Sequence, residues 1–209
     1  MFSVITVYRK EKYFENVRKS FPQFQVIGRK ASGISILKLY EEMITEAKNQ
    51  WIIIVHDDIF VLDPPAKLLN FHLNKDNLYG VAGASKFGTI GRVLERFPSP
   101  HLSTHFWATK PIEVDTIDSC FMIIHKDLFK KLEKVEYYLT HFLAEEWSLQ
   151  THKLGGKVIV LPFTICHYSL GGKKYASIRK KYFPEFRNRW KKYRKEIYTT
   201  VEGKLVLEG

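Results

Sequence analysis

The chain has 209 residues, 45% hydrophobic and 14% aromatic, which is enough for one domain with a full core and excludes intrinsic disorder. Its formal net charge is +11, and its two cysteines, Cys120 and Cys166, lie far apart, so a disulfide framework is excluded and a reducing compartment is expected. No run approaches the length of a membrane span and the first residues lack a signal-type apolar segment, so the expected location is cytoplasmic.

Residues 2–8 form a β-rich opening, and Phe14, Val17 and Phe21 follow at helical spacing before Pro22. A short strand at 24–27 is bounded by Gly28. Residues 34–47 place Ile36, Leu37, Tyr40, Met43, Ile44 and Ala47 on one helical face. Trp51 then opens a continuous apolar run, Ile52 to Val55, that ends in His56-Asp57-Asp58. Such a run suits a strand buried on both faces. Strand, helix, strand, helix, strand implies α/β architecture with a mostly parallel sheet and right-handed crossovers. Ligands bind such sheets beyond the carboxyl ends of the strands.

Pro64-Pro65 is placed to start a helix through Leu69 and Phe71, and 78–84 reads as one strand. Residues 85–112 lose regularity among Gly88, Gly91, Pro98 and Pro100, and carry Arg92, Arg96, His101 and His105. A stretch of this kind is either part of a substrate site or a loop. Two apolar runs, 113–117 and 120–125, flank Asp118 and Ser119. Helices are expected at 126–135 and 145–154, the second ended by Gly155-Gly156. A strand at 157–161 stops at Pro162, and 163–169 carries His167.

Gly171-Gly172 marks the expected end of the main domain, 1–172. The remainder, 173–209, reads as a basic tail, helical over 176–198 with an interruption at Pro184. Between Lys173 and Lys195 eleven cations are offset only by Glu185. Either this is a solvated helix face, or it meets anionic headgroups, nucleic acid or an acidic acceptor.

Chemistry is concentrated at a few positions. A divalent cation such as Mg²⁺ or Mn²⁺ takes oxygen ligands, often a carboxylate plus substrate phosphates, and His56-Asp57-Asp58 stands at a strand end where a nucleotide would lie. Adjacent carboxylates on an extended backbone point to opposite sides, so one of the two ligates and the other is free to orient the ribose or base or to hydrogen-bond a structural neighbour. Glu145-Glu146 opens a helix, which the macrodipole alone favours. With Phe142 and Trp147 beside it, burial would also raise a carboxyl toward the range of a general base. His167 is either structural or a ligand, and Asp118 either binds hydroxyls or supports a turn. No phosphate-cradling glycine motif, nucleophile elbow or zinc signature appears.

The order of these features resembles the GT-A glycosyltransferases of family 2, in particular a bacterial subgroup with His-x-Asp in place of Asp-x-Asp. It runs from an αβ half to a strand ending in His56-Asp57-Asp58, then Asp118, then Glu145-Glu146-Trp147. Gly155-x-x-Val-x-x-x-Pro162 and His167-Tyr-Ser169 complete it. The resemblance spans 1–172. It implies an inverting, metal-dependent transfer of a sugar from a nucleoside-diphosphate sugar to a sugar or lipid-linked acceptor hydroxyl, in cell-surface polysaccharide or glycoconjugate synthesis. It implies Mn²⁺ or Mg²⁺ at Asp58 and His167, and Glu146 as the general base, with Glu145 beside it as a catalytic residue. Tyr8, His56, Asp57, Arg92 and Arg96 would bind the nucleotide sugar and Asp118 the acceptor. The tail would hold the protein at the inner face of an anionic membrane, and nucleic acid is not expected as a partner. The competing readings are a catalytically silent sugar-nucleotide-binding domain and a nucleic-acid-binding protein using the tail.

Overall fold

The computed structural model describes residues 1–95, 101–102, 104–135, 142–168 and 175–208. β1 (Phe2–Tyr8), α1 (Glu11–Ser20), β2 (Gln25–Lys30), α2 (Ile36–Glu46) and β3 (Trp51–His56) alternate as expected. β4 (Ile59–Val61) and a 3₁₀ turn over Pro65–Asn70 lead to β5 (Leu78–Gly80) and β6 (Ala82–Ser85). Then come β7 (Gly88–Gly91), β8 (Val93–Glu95), β9 (His101–Leu102), β10 (Phe106–Trp107), β11 (Ile112–Glu113) and β12 (Thr116–Ile117). β13 (Phe121–His125), α3 (Lys126–Lys131), α4 (Leu143–Lys153), β14 (Val158–Val160) and β15 (Ile165–His167) complete the main body. α5 (Tyr175–Trp190) and the hairpin β16 (Glu196–Thr199) and β17 (Gly203–Val206) close the chain.

Seven strands form the central sheet in the order β11-β14-β5-β13-β3-β1-β2. β1 pairs parallel with both β2 and β3, and β14 with β5, while β13 and β11 run against their neighbours. The apolar run of β3 is explained by its central position. Ile52 and Ile54 face a core containing Leu37, Tyr40 and Met43 of α2, whereas Ile53 and Val55 face the opposite core, with Val17 of α1 and Phe121. All four are essentially inaccessible, and each such side chain contributes about 1.5–3 kcal/mol on burial. At the sheet edge Phe14 packs under β2. A Cβ on Gly28 would lie 2.4 Å from its ring, so this close approach requires glycine.

Four expectations are corrected. Residues 78–84 are two strands in two sheets, because the chain leaves the central sheet after Gly80 and β6 pairs with β7 and β12. Stretch 85–112 is largely built of strands of two to four residues, too short for their periodicity to be read. The helix after β13 stops at Lys131 instead of Val135. Finally, the C-terminal segment is not a helical tail broken at Pro184. α5 runs through that proline, because Tyr182, Phe186 and Trp190 anchor it in a third core with Phe142, Ile197 and Leu205. Among the described residues no helix is long and apolar enough to cross a membrane.

Candidate metal centre and acid pair

β3 delivers its last residue, His56, to the carboxyl edge of the sheet, where its backbone N–H donates to the Cys120 carbonyl at 3.0 Å. The turn that follows holds Asp57 and Asp58, and β4 then pairs antiparallel with β15 so that Ile59 faces His167. The Tyr168 N–H donates to the Asp58 carbonyl at 2.9 Å, which fixes the two segments together. Through this register Asp58 Oδ1 lies 3.3 Å from His167 Nε2, and the His56 and His167 rings stand 5.8 Å apart. His56, Asp58 and His167 each offer a ligand atom within 4.8 Å of the others.

The electrostatics suit a cation. Burial pushes the Asp58 carboxyl up, but the His167 contact, the charges of His167 and His56, and the Arg9 guanidinium outweigh it and hold Asp58 well below the usual carboxylate range. Burial and then the neighbouring His167 lower the His56 imidazole, which favours the neutral ring that a metal requires. Two imidazoles and one carboxylate form a mixed nitrogen and oxygen donor set. That set fits Mn²⁺ better than Mg²⁺, which demands oxygen ligands.

Asp57 is turned away from this cluster. It is 5% exposed and is held by Arg9, whose backbone N–H donates to Oδ2 at 2.8 Å and whose Nη2 donates to Oδ1 at 2.6 Å. The same Nη2 reaches Asp58 Oδ2 at 3.0 Å. The two neighbouring aspartates thus diverge within the turn, and Arg9 spans both. Sequence reasoning did not single out Arg9. Its place at the carboxyl end of β1, next to the strand that carries the aspartates, was the available signal. Tyr8 ends β1 and stacks on Phe14, with ring centroids 4.9 Å apart. Arg92 lies over the Trp107 ring at 4.6 Å and donates to the Pro162 carbonyl at 3.3 Å. Arg96 falls outside the described residues.

The acidic residues beyond this cluster come from two elements. Asp118, just after β12, accepts from the Cys120 N–H at 2.8 Å and from the Thr200 hydroxyl at 2.6 Å. Burial raises its carboxyl, yet these two donors and the nearby histidines bring it below its ordinary value. Ser119 Oγ lies 3.4 Å from His56 Nε2, which joins this turn to the candidate metal ligands. Glu146, in the first turn of α4, has no exposed surface and no free oxygen. Oε1 accepts from Gln150 Nε2 and Arg189 Nε, both at 2.8 Å, and Oε2 accepts from Trp190 Nε1 at 2.7 Å. Glu145 is partly buried instead, and desolvation, followed by the charges of Asp118 and Glu202, pushes its carboxyl up to about 7. Phe142, which precedes α4, adopts a left-handed backbone (φ 66°), a conformation costly for an aromatic residue. Its ring stacks on Phe186 at 5.0 Å, so the C-terminal helix holds that conformation in place.

The central sheet flanked by helices has a GT-A-like fold. Among solved structures the chain is similar to GalNAc-T7 with UDP, GalNAc and Mn²⁺, at a TM-score of 0.54 and 12% identity over 90% of this chain. It spans about half the length of that protein, 49%. It is also similar to a Drosophila β1,4-galactosyltransferase 7 mutant in complex with manganese, UDP-Gal and xylobiose, at a TM-score of 0.49 and 11% identity, covering 84% of this chain and 72% of that one. No protein-family model matches the sequence. A relative from Fuscovulum blasticum, described as ATP synthase subunits region ORF 6, is 22% identical over 233 residues, covering all of this chain and 91% of that protein.

Proposed function

We propose that the protein is a metal-dependent glycosyltransferase that moves a sugar from a nucleoside-diphosphate sugar to an acceptor hydroxyl with inversion. The observation that carries this reading is the convergence of His56, Asp58 and His167 at the carboxyl end of β3, in a fold shared with a protein that holds UDP and Mn²⁺. When bound there, Mn²⁺ would supply Lewis-acid neutralisation of the charge on the leaving diphosphate. His56, Asp58 and His167 would hold it, with Asp58 as the ionised carboxylate.

The base is Glu145 in this proposal, not Glu146. Every oxygen of Glu146 already accepts from Arg189, Trp190 or Gln150, whereas Glu145 has a proton affinity near neutrality. Glu145 takes the proton of the acceptor hydroxyl as it attacks the anomeric carbon from the face opposite the diphosphate. Asp118, held ionised by Thr200 and Cys120, orients acceptor hydroxyls. Tyr8 lies at the strand end where the nucleotide base would rest.

A base-stacking role for the C-terminal helix is disfavoured, since Tyr182, Phe186 and Trp190 are buried in a core. Lys180 and Lys181 on it, and Lys191 and Lys192 just beyond its end, remain exposed and support an anionic surface as the neighbour. A lipid-linked or polysaccharide acceptor belongs to the same proposal. The deciding experiment is thermal stability with UDP, Mn²⁺, or both. The pair should raise the melting temperature by more than the sum of its parts, and Asp58→Ala should abolish that excess. No excess in the wild type, across a panel of nucleoside diphosphates, would defeat the proposal.

A further inference from the structure

Arg9 stands where a bound cation would have to compete with it. Its Nη2 lies 3.0 Å from Asp58 Oδ2, while Asp58 Oδ1 faces His167. The guanidinium is anchored independently by Asp57, through the backbone N–H and through Nε and Nη2, and its face lies over Tyr13 at 5.6 Å. Yet the side chain is 60% exposed. A positive group is therefore tethered on one side and open on the other, with one donor resting on a proposed metal ligand.

We propose that Arg9 couples cation binding to diphosphate binding. Without nucleotide, its guanidinium occupies Asp58 Oδ2 and repels an incoming divalent ion, since two like charges this close oppose each other strongly. When a diphosphate arrives, Nη2 exchanges Asp58 for a phosphate oxygen, and Asp57 keeps the guanidinium in place through Nε. Arginine suits this exchange because its planar fork satisfies two anions at once. Cation and diphosphate then each strengthen the binding of the other, by the same factor. The inference rests on the metal-centre reading above and names the residue that makes the centre nucleotide-dependent.

The test is Mn²⁺ binding followed by electron paramagnetic resonance of the free ion, with and without UDP, in the wild type, Arg9→Gln, Arg9→Lys and Asp58→Ala. Arg9→Gln should bind Mn²⁺ alone more tightly than the wild type and should lose about tenfold or more of the UDP-induced gain. Because Arg9→Gln leaves Asp57 without a cation, Arg9→Lys is the second variant. One ammonium can pair with Asp57 but cannot span both aspartates, so it should shift both quantities in the same direction, with circular dichroism confirming the fold. If Asp58→Ala weakens Mn²⁺ binding while both Arg9 variants keep the wild-type affinity and UDP coupling, Arg9 is not the coupler and the metal centre stands. If Asp58→Ala leaves Mn²⁺ binding unchanged, the metal centre and the coupling both fall.

Discussion

The indole N–H of Trp190 donates to Glu146 Oε2 at 2.7 Å, and through that bond α5 grips the first turn of α4. Arg189 completes the grip at Oε1 and also pairs with Glu133. Glu146→Ala should cost about 3 kcal/mol in urea denaturation, because it strips the buried indole of its acceptor and leaves Arg189 short of a partner. Glu146→Gln should cost less, since its amide oxygen can still accept from one of them. A loss below about 1 kcal/mol for the alanine variant would mean that the grip does not hold the two helices.

Glu145 should impose two opposite pH dependences. Its carboxyl is raised from 4.5 to about 7 in the folded protein, so the folded state holds the proton more tightly than the unfolded one. The resulting stability is fully present below about pH 4.5 and is lost as pH rises through about 7. A base must be ionised to act, so transfer should rise over the same interval. Relative to Glu145→Gln, the wild type should lose melting temperature between pH 5 and pH 8 while gaining activity. A variant whose pH profiles parallel the wild type in both would contradict the assignment.

Thr200 should matter to transfer without mattering to donor binding. Thr200→Val removes the 2.6 Å hydroxyl donor from Asp118 Oδ2 and leaves part of that buried carboxylate unsatisfied, at a cost of about 1–3 kcal/mol. Turnover should fall, UDP–Mn²⁺ affinity measured by calorimetry should hold, and Thr200→Ser should restore the rate. Equal losses in both measurements would assign Thr200 to general stability.

The choice of cation should follow the two histidines. Mn²⁺ should support UDP-dependent stabilisation at concentrations where Mg²⁺ gives little, since Mg²⁺ dehydrates reluctantly and takes oxygen ligands. His167→Asp supplies an oxygen donor in place of nitrogen and should narrow the gap. An unchanged Mn²⁺ preference in that variant would place the ion elsewhere.

Removing residues 175–208 should not yield a smaller folded domain. Glu146 would lose Trp190 and Arg189, Asp118 would lose Thr200, and Thr116 would lose its bond to the Tyr198 carbonyl. Circular dichroism and limited proteolysis of the truncated chain should show loss of cooperative unfolding. A truncated chain that melts like the full one would show that the C-terminal unit is dispensable.

Local pattern made much of the framework legible. β3 spans the expected residues because its continuous apolar run must face two cores, and α2 follows its apolar stripe to within two residues. α4 ends where the glycine pair placed it, with Gly155 in the left-handed conformation. The short strands between β6 and β12 escaped because two to four residues carry no periodicity. In sequence the C-terminal unit reads as a charged tail because its cations outnumber its aromatics, although Phe186 and Trp190, fully buried, decide where it sits.

His56-Asp57-Asp58 at the end of a doubly buried strand was visible in the chain itself, since hydrophobic pattern and backbone alternation are local properties. Which aspartate joins the two histidines is not a local property: the resemblance points to Asp58, and in the structure Arg9, at the end of a different strand, claims Asp57. Nor could the sequence separate Glu145 from Glu146. Successive helical residues differ by about 100° around the axis, and only the packing of α5 fixes which one is buried beneath Trp190 and which stays partly exposed. Local chemistry determined the candidates, and contacts between segments distant in sequence decided their roles.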